Sequence, residues 1–206
     1  NKAEGVGLYR TEMLPNIDDL LIEYLSSSAE DRIRMRNELI RLFLDDFVSN
    51  INLLPNDPRY IFAIRTFDFQ LDKNGKLLRF LYRDRPDEEI QRGFDFYKTE
   101  VGQELLTLQM EAILRAVFEL RISGCNVDIR YMPPQVKTKE DIIFFNEHIL
   151  EKAVENAIIA IDPYIKITKP EELEKYKPGF QKNLKLSFGV MAETIEIGNN
   201  IDEILP

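Results

Sequence analysis

Two short apolar runs in this chain each end in an arginine followed by a threonine. Residues 5–9 lead directly into Arg10, and residues 60–64 lead into Arg65. Runs of this length are typical of strands, and the carboxyl ends of parallel strands are where α/β folds bind their ligands. A guanidinium offers a planar fork of donors that suits carboxylate and phosphate. The two arginines therefore predict one anionic ligand held between two strand ends.

Strand-like runs alternate with helical sequence along the chain. Four strands are predicted at about 5–9, 60–65, 127–132 and 184–192, and strongly helical sequence follows each of the first three. This alternation predicts an α/β fold with a parallel sheet. An open doubly wound sheet and a barrel both satisfy it. No Gly-rich phosphate loop follows any of these strands, which argues against nucleotide binding.

Cap and turn signals predict where the helices lie. Residues 27–30 read as a capping box that opens one helix, and Thr138 caps another. The stretch 87–121 is predicted to be helical in two pieces, because glycines interrupt it. Residues 161–183 are polar and predict a loop with a short helix, and 195–205 predict one more short helix.

Composition excludes several classes of protein. The formal net charge is −9, and the arginines are interspersed with acids, so no nucleic-acid partner is expected. No stretch of about 18 apolar residues occurs, so no membrane span is expected. Cys125 is the only cysteine and His148 the only histidine. These features predict a cytoplasmic protein with an inert thiol and a histidine at the solvent edge.

Five segments occur in an order that resembles a known family. They are Gly-Val-Gly-Leu-Tyr-Arg-Thr-Glu, Ile-Arg-Thr-Phe-Asp, Glu-Ala-Ile-Leu-Arg-Ala, Ile-Arg-Tyr-Met-Pro-Pro and Phe-Gly-Val-Met-Ala-Glu-Thr, beginning at positions 5, 64, 111, 129 and 188. Together they resemble the phosphoenolpyruvate-utilising enzymes. Within these they are most similar to phosphoenolpyruvate–protein phosphotransferase, enzyme I of the bacterial sugar phosphotransferase system.

The resemblance implies a fold and an extent. The family's catalytic domain is a (β/α)8 TIM barrel, and residues 1–206 would form part of one such domain with about four of the eight strands. The four predicted strands are similar to the second to fifth strands of that barrel. We therefore expect the chain to be part of a longer protein. We also expect it to self-associate as a homo-oligomer, because half a barrel leaves two unpaired sheet edges.

The resemblance also implies an activity and its residues. The parent enzyme would pass the phosphoryl group of phosphoenolpyruvate to a histidine on another domain, and then to a phosphocarrier protein for sugar uptake. By motif match, Arg10 and Arg65 resemble the family's substrate-binding arginines, and Glu193 resembles a carboxylate ligand of Mg2+. None of the catalytic residues is expected within this chain, which alone should not turn over.

Other interpretations remain open at this stage. Arg10 and Arg65 would also be explained by simple ion pairs, the first with Glu12 and the second with Asp68. Gln70 and the leucine after it stand where the family has two glycines, and an arginine expected after Gly93 is missing. These departures favour a degenerate, non-catalytic paralogue with a regulatory or scaffold role. Pyruvate phosphate dikinase and phosphoenolpyruvate synthase are weaker alternatives.

Overall fold

Four parallel strands form one sheet in the order in which they occur along the chain. The computed structural model describes residues 5–70, 74–83, 85–91, 93–161 and 170–189. The strands are β1 Gly5–Arg10, β2 Ile61–Arg65, β3 Asp128–Met132 and β4 Ser187–Phe188, and neighbours in this order are hydrogen-bonded. A doubly wound sheet reverses its strand order at a switch point, whereas a barrel does not. The predicted α/β fold with parallel strands is confirmed, and the sequential order agrees with a partial TIM barrel.

Helices connect each strand to the next. Those between β1 and β2 are α1 Ile17–Ser26 and α2 Ala29–Ile51; those between β2 and β3 are α3 Gly75–Leu81, α4 Gly93–Tyr97 and α5 Glu100–Ile122. The last connection has α6 Lys139–Phe145, a π-helical turn Asn146–Leu150, α7 Glu151–Ile161 and α8 Pro170–Leu184. None of the described helices is long and apolar enough to cross a membrane.

The predicted caps are present, one of them shifted by a residue. Thr138 and Asp141 form the reciprocal capping box that opens α6. At α2 the cap is Ser28 rather than its neighbour, because the Ser28 hydroxyl accepts the backbone N–H of Asp31 at 3.2 Å. Each cap satisfies a backbone donor that the first helical turn leaves without a partner.

The stretch 87–121, predicted to be helical in two pieces, contains a 3-10 turn at Asp87–Glu89 and then the two α-helices α4 and α5, and Gly102 does not cause the break between these helices. The division falls at Thr99, whose hydroxyl accepts the N–H of Gly102 and caps α5. A Cβ at Gly102 would lie 1.9 Å from the carbonyl oxygen of Phe96. The glycine is therefore needed for close packing of the first turn of α5 against the end of α4.

The helix predicted within 161–183 is present, but it is longer than the short helix expected there. α8 runs from 170 to 184 and contains Pro178. Leu173 and Leu184 on this helix are buried, and Phe180 stacks on Phe118 at 5.8 Å between ring centroids. These apolar residues did not stand out in the sequence because most of their neighbours in the segment are polar. The predicted strand at 184–192 begins only at Ser187, and residues 190–206 lie outside the described part of the chain.

The core lies between the sheet and the helices α2 and α5. Tyr9 on β1 packs on Phe62 of β2 at 5.2 Å, and its hydroxyl donates to Asp46 of α2. Side chains alternate between the two faces of a strand. Because Tyr9 faces α2, the next residue, Arg10, leaves β1 on the opposite face of the sheet.

Candidate ligand site at the strand ends

The two arginines singled out by the sequence lie side by side at the carboxyl edge of the sheet. Arg10 is the last residue of β1 and Arg65 the last of β2, and their Cα atoms are partners in the parallel register. Residues paired in this way project to the same face of a sheet. The edge therefore carries two guanidinium groups from neighbouring strands.

The Arg10 side chain is exposed and has no partner among the described residues. It makes no hydrogen bond or ion pair with any residue in the described part of the chain. The expected alternative, a simple ion pair between Arg10 and Glu12, is wrong, because the Glu12 carboxylate accepts from Arg65 instead. The Arg10 guanidinium is therefore available to an anion from solvent.

Arg65 is enclosed between two buried carboxylates. Its side chain is 3% exposed; one Nη donates to Glu12 and the other lies 3.0 Å from Asp68, so the expected pair with Asp68 is present. The side chains of Glu12 and Asp68 are 0% and 2% exposed. One positive charge thus faces two negative charges in a region that excludes water. Buried ions of this kind are stable only when each is closely paired.

Three buried polar atoms of this cluster have no partner. Among the described residues they are Glu12 Oε2, Arg65 Nε and Asn74 Oδ1. The amide of Asn74 donates to the Glu12 carbonyl at 3.3 Å and to Asp18 at 2.9 Å, which ties α3 and α1 to the end of β1. Buried polar groups are nearly always paired. Their clustering here marks the strand ends as a polar site that water or a ligand would complete.

Gln109 of α5 joins the two strand ends. Its side chain is fully buried; the amide donates to the Thr11 hydroxyl, and the amide oxygen accepts the N–H of Phe67 at 2.9 Å. Thr11 in turn donates to the carbonyl of Arg65 at 3.1 Å. Sequence reasoning missed Gln109. The available signal was an amide within the largely apolar segment 105–110 of a helix.

Tyr97 of α4 fixes the segment that follows β2. Its buried hydroxyl donates to the Phe67 carbonyl and lies 3.1 Å from the Thr66 hydroxyl. Burial raises the pKa of Tyr97 well above its ordinary value of 10.0; the Thr66 hydrogen bond opposes this rise, and the charges of Asp68 and Glu12 add to it. Tyr97 therefore remains a hydrogen-bond donor at neutral pH.

The expected metal ligand, Glu193, lies outside the described residues. Within the described ranges, no group of three or more His, Cys, Asp or Glu side chains is arranged to hold a metal ion. Mg2+ takes oxygen ligands in near-octahedral geometry. The described residues do not form such a site by themselves.

A comparison with protein families gives one match. The model of the PEP-binding domain of PEP-utilising enzymes matches residues 1–169, which include both arginines and extend from β1 through α7. A comparison with curated proteins found no match. The family match covers well over half of the chain.

Proposed function

This chain belongs to the phosphoenolpyruvate-utilising enzymes, and we propose that it binds phosphoenolpyruvate at the carboxyl ends of β1 and β2. The observation that carries this proposal is the exposed guanidinium of Arg10, which has no partner in the described part of the chain; Arg10 is in register with Arg65. Phosphoenolpyruvate has a carboxylate and a phosphate, and a guanidinium binds either group through two parallel hydrogen bonds.

The two arginines have different parts in this proposal. Arg10 forms the first contact with the anion, since no carboxylate competes for it among the described residues. Arg65 is held in place by Glu12 and Asp68. Its Nε–H is a buried donor that has no hydrogen-bond partner among the described residues. A donor fixed before the ligand arrives costs little reorganisation, which favours stabilisation of charge in a transition state.

A direct test is calorimetric titration with phosphoenolpyruvate. We expect Arg10→Ala to weaken binding about tenfold or more, because it removes a charge-assisted contact. The matched control is Arg59→Ala, at the opposite end of β2, where the 85% exposed side chain pairs with Asp57 and with no other described residue. Equal affinities of Arg10→Ala and the unsubstituted chain would reject the site.

The reaction that we propose for the parent protein is that of enzyme I. The bond between phosphorus and the enol oxygen breaks, pyruvate enolate leaves, and a phosphorus–nitrogen bond forms on a histidine. His148, the only histidine of this chain, lies in the helical layer on the π-helical turn, so the accepting histidine would belong to another domain. A phosphocarrier protein would then receive the phosphoryl group for sugar uptake. Acid-labile label on the parent after incubation with phosphoenolpyruvate labelled in its phosphate would support this.

We propose Glu193 as one carboxylate ligand of Mg2+. When bound, the ion would neutralise charge on the phosphate and carboxylate oxygens of the substrate. We expect Mg2+ to increase the affinity for phosphoenolpyruvate in the unsubstituted chain and to have no such effect in Glu193→Gln. The same titration, run with and without the ion, measures both.

A second candidate function is that of a non-catalytic regulatory or scaffold protein. It is favoured by the excess of negative charge around Arg65 and by Gln70, which stands at one of the family's glycine positions and donates to Asp68 at 2.9 Å. The negative charge would repel the phosphoenolpyruvate trianion from Arg65, and the Gln70 side chain would occupy space that a glycine leaves open. Absence of any heat with phosphoenolpyruvate, with or without Mg2+, would favour this candidate over the first.

We also propose that the chain self-associates. β1 and β4 are the outer strands of the described sheet, and unpaired strand edges favour association. Light scattering over a range of concentrations tests this, and a monomeric mass throughout would reject it.

A further inference from the structure

A cavity of about 450 Å³ opens in the helical layer, away from the strand-end site. It lies between α2, α5 and the helix formed by the π-helical turn and α7, and none of Arg10, Glu12, Arg65 or Asp68 lines it. Its size falls within the range of small-molecule pockets, about 300–1,000 Å³.

The walls of this cavity carry opposite charges. Glu100 and Glu104 of α5 line one side, while His148 and Lys152 line the side formed by the π-helical turn and α7. Lys152 forms no ion pair with either glutamate, nor with any other described residue. The opposite charges therefore face each other across the cavity without neutralising one another directly.

Two of the charges are already fixed by neighbours. Glu104 accepts two hydrogen bonds from Arg32, at 3.1 and 2.6 Å, and Arg36 pairs with the buried Glu111. Glu100 and Lys152 have no such partner within the described residues. These two are the charges that remain available to a ligand.

The π-helical turn gives the basic wall its shape. The chain runs from α6 into Asn146–Leu150 and on into α7 without leaving helical geometry, and His148 lies within this wider turn. Such turns are rare and occur frequently at functional sites. The ring of His148 packs on Phe144 at 4.5 Å between ring centroids, and His148 lines the cavity.

Unpartnered polar groups point to a ligand in this cavity. Thr107 lines it and is 5% exposed, yet its hydroxyl has no hydrogen-bond partner in the described part of the chain. Asn156, on the opposite side, likewise forms no hydrogen bond there. A hydroxyl both donates and accepts hydrogen bonds, as does an amide, so a bound polar molecule would supply partners for both side chains.

We propose that this cavity binds a small zwitterion, a free α-amino acid. Its carboxylate pairs with Lys152 and accepts a hydrogen bond from His148, its ammonium pairs with Glu100, and Thr107 and Asn156 supply further hydrogen bonds. The formal charges of the lining cancel, with two cations, Arg36 and Lys152, and two glutamates. A simple anion or cation would leave one wall unpaired, whereas a zwitterion satisfies both walls at once.

The first test compares ligands on the full chain. The common L-amino acids are titrated one at a time by calorimetry, and the tightest is compared with its 2-hydroxy acid and its decarboxylated amine. We expect both analogues to bind about tenfold or more weakly than the amino acid, because each lacks one charged contact. The proposal is overturned if none of the amino acids binds. It is also overturned if either analogue binds as tightly as the amino acid.

The second test compares matched variants. Lys152→Met and Glu100→Gln are each expected to weaken amino-acid binding about tenfold, whereas Lys139→Met and Glu119→Gln are expected to leave it unchanged. Both controls are exposed residues on the same helical layer that do not line the cavity. Circular dichroism checks that each variant is folded, which is expected because Lys152 and Glu100 are exposed. Wild-type affinity in the two cavity variants overturns the proposal.

This inference is independent of phosphoenolpyruvate binding. Arg10→Ala is expected to retain amino-acid affinity, because Arg10 does not line the cavity. If phosphoenolpyruvate does not bind at the strand ends, the titration with amino acids still tests the cavity, and the reverse also holds.

Discussion

The ends of β1 and β2 have the same Arg-Thr sequence but give their arginines opposite environments. Arg10 is exposed and has no partner among the described residues, whereas Arg65 is 3% exposed and held by two carboxylates. The difference arises because Glu12, two residues after Arg10, pairs across the strands with Arg65. A shared motif thus specifies where a charge is placed, and its neighbours determine whether that charge is available.

The threonines of the two motifs behave alike. Thr11 and Thr66 are both fully buried; the first donates to the Arg65 carbonyl and the second shares a hydrogen bond with the Tyr97 hydroxyl. In each case the hydroxyl fixes the turn that follows the strand. The threonines are therefore structural at both ends, and only the arginines differ.

The largest expected effect on stability is at Arg65. Arg65→Met would leave Glu12 and Asp68 buried without a counter-charge, so we expect the free energy of unfolding to fall by about 3–5 kcal/mol. Urea unfolding measures it. Arg130→Met is the control, since this β3 arginine is 45% exposed and pairs with Asp128 of its own strand; its expected change is within about 0.5 kcal/mol. Similar losses in both variants would contradict the structural role of Arg65.

A smaller loss is expected when the link between the two strand ends is removed. Gln109→Leu leaves the Phe67 N–H and the Thr11 hydroxyl without their partner, and should lower the free energy of unfolding by about 1–3 kcal/mol. Gln103→Leu on the same helix is the control, because among the described residues the Gln103 side chain makes a single hydrogen bond, of 3.3 Å, to the Lys98 carbonyl. Hydrogen exchange at Phe67 should become faster in Gln109→Leu alone. Unchanged exchange there would argue against the bridge.

The protonation state of Tyr97 predicts a loss of stability at alkaline pH. Because its pKa is raised in the folded protein, its contribution is fully present below pH 10.0, the ordinary value, and is lost as the pH rises above it. Tyr97→Phe should remove a hydrogen bond worth about 1 kcal/mol at neutral pH and make the alkaline decline shallower. Tyr176→Phe, at a 48% exposed position, is the control. A decline of equal slope in Tyr97→Phe and the unsubstituted chain would refute this assignment.

The smallest effect on stability is expected at Arg10. Arg10→Ala removes no partner within the described residues and should change the free energy of unfolding by about 0.5 kcal/mol or less. Phosphoenolpyruvate at about 100 times its Kd should stabilise the unsubstituted chain by about 2.7 kcal/mol and Arg10→Ala by much less. A large loss of stability in Arg10→Ala without ligand would show that Arg10, like Arg65, has a structural role.

Local patterns predicted most of the architecture. The alternation of strands and helices, the Thr138 cap and the placement of Arg10 and Arg65 at strand ends all follow from short segments of sequence. The helix over 170–184 was predicted only as a short helix within a loop, because its apolar residues are sparse among charged ones. The π-helical turn was also missed, since its residues fit an ordinary helical pattern.

By itself, the sequence determined the elements, their order and the edge of the sheet at which two arginines meet. It could do so because strand and helix signals are encoded within a few residues of one another. Only the tertiary structure decided which arginine is free, because Glu12 and Arg65 are 53 positions apart and their pairing depends on how β1 lies beside β2. The same holds for the cavity beside Lys152, whose charged walls come from helices that are distant in sequence.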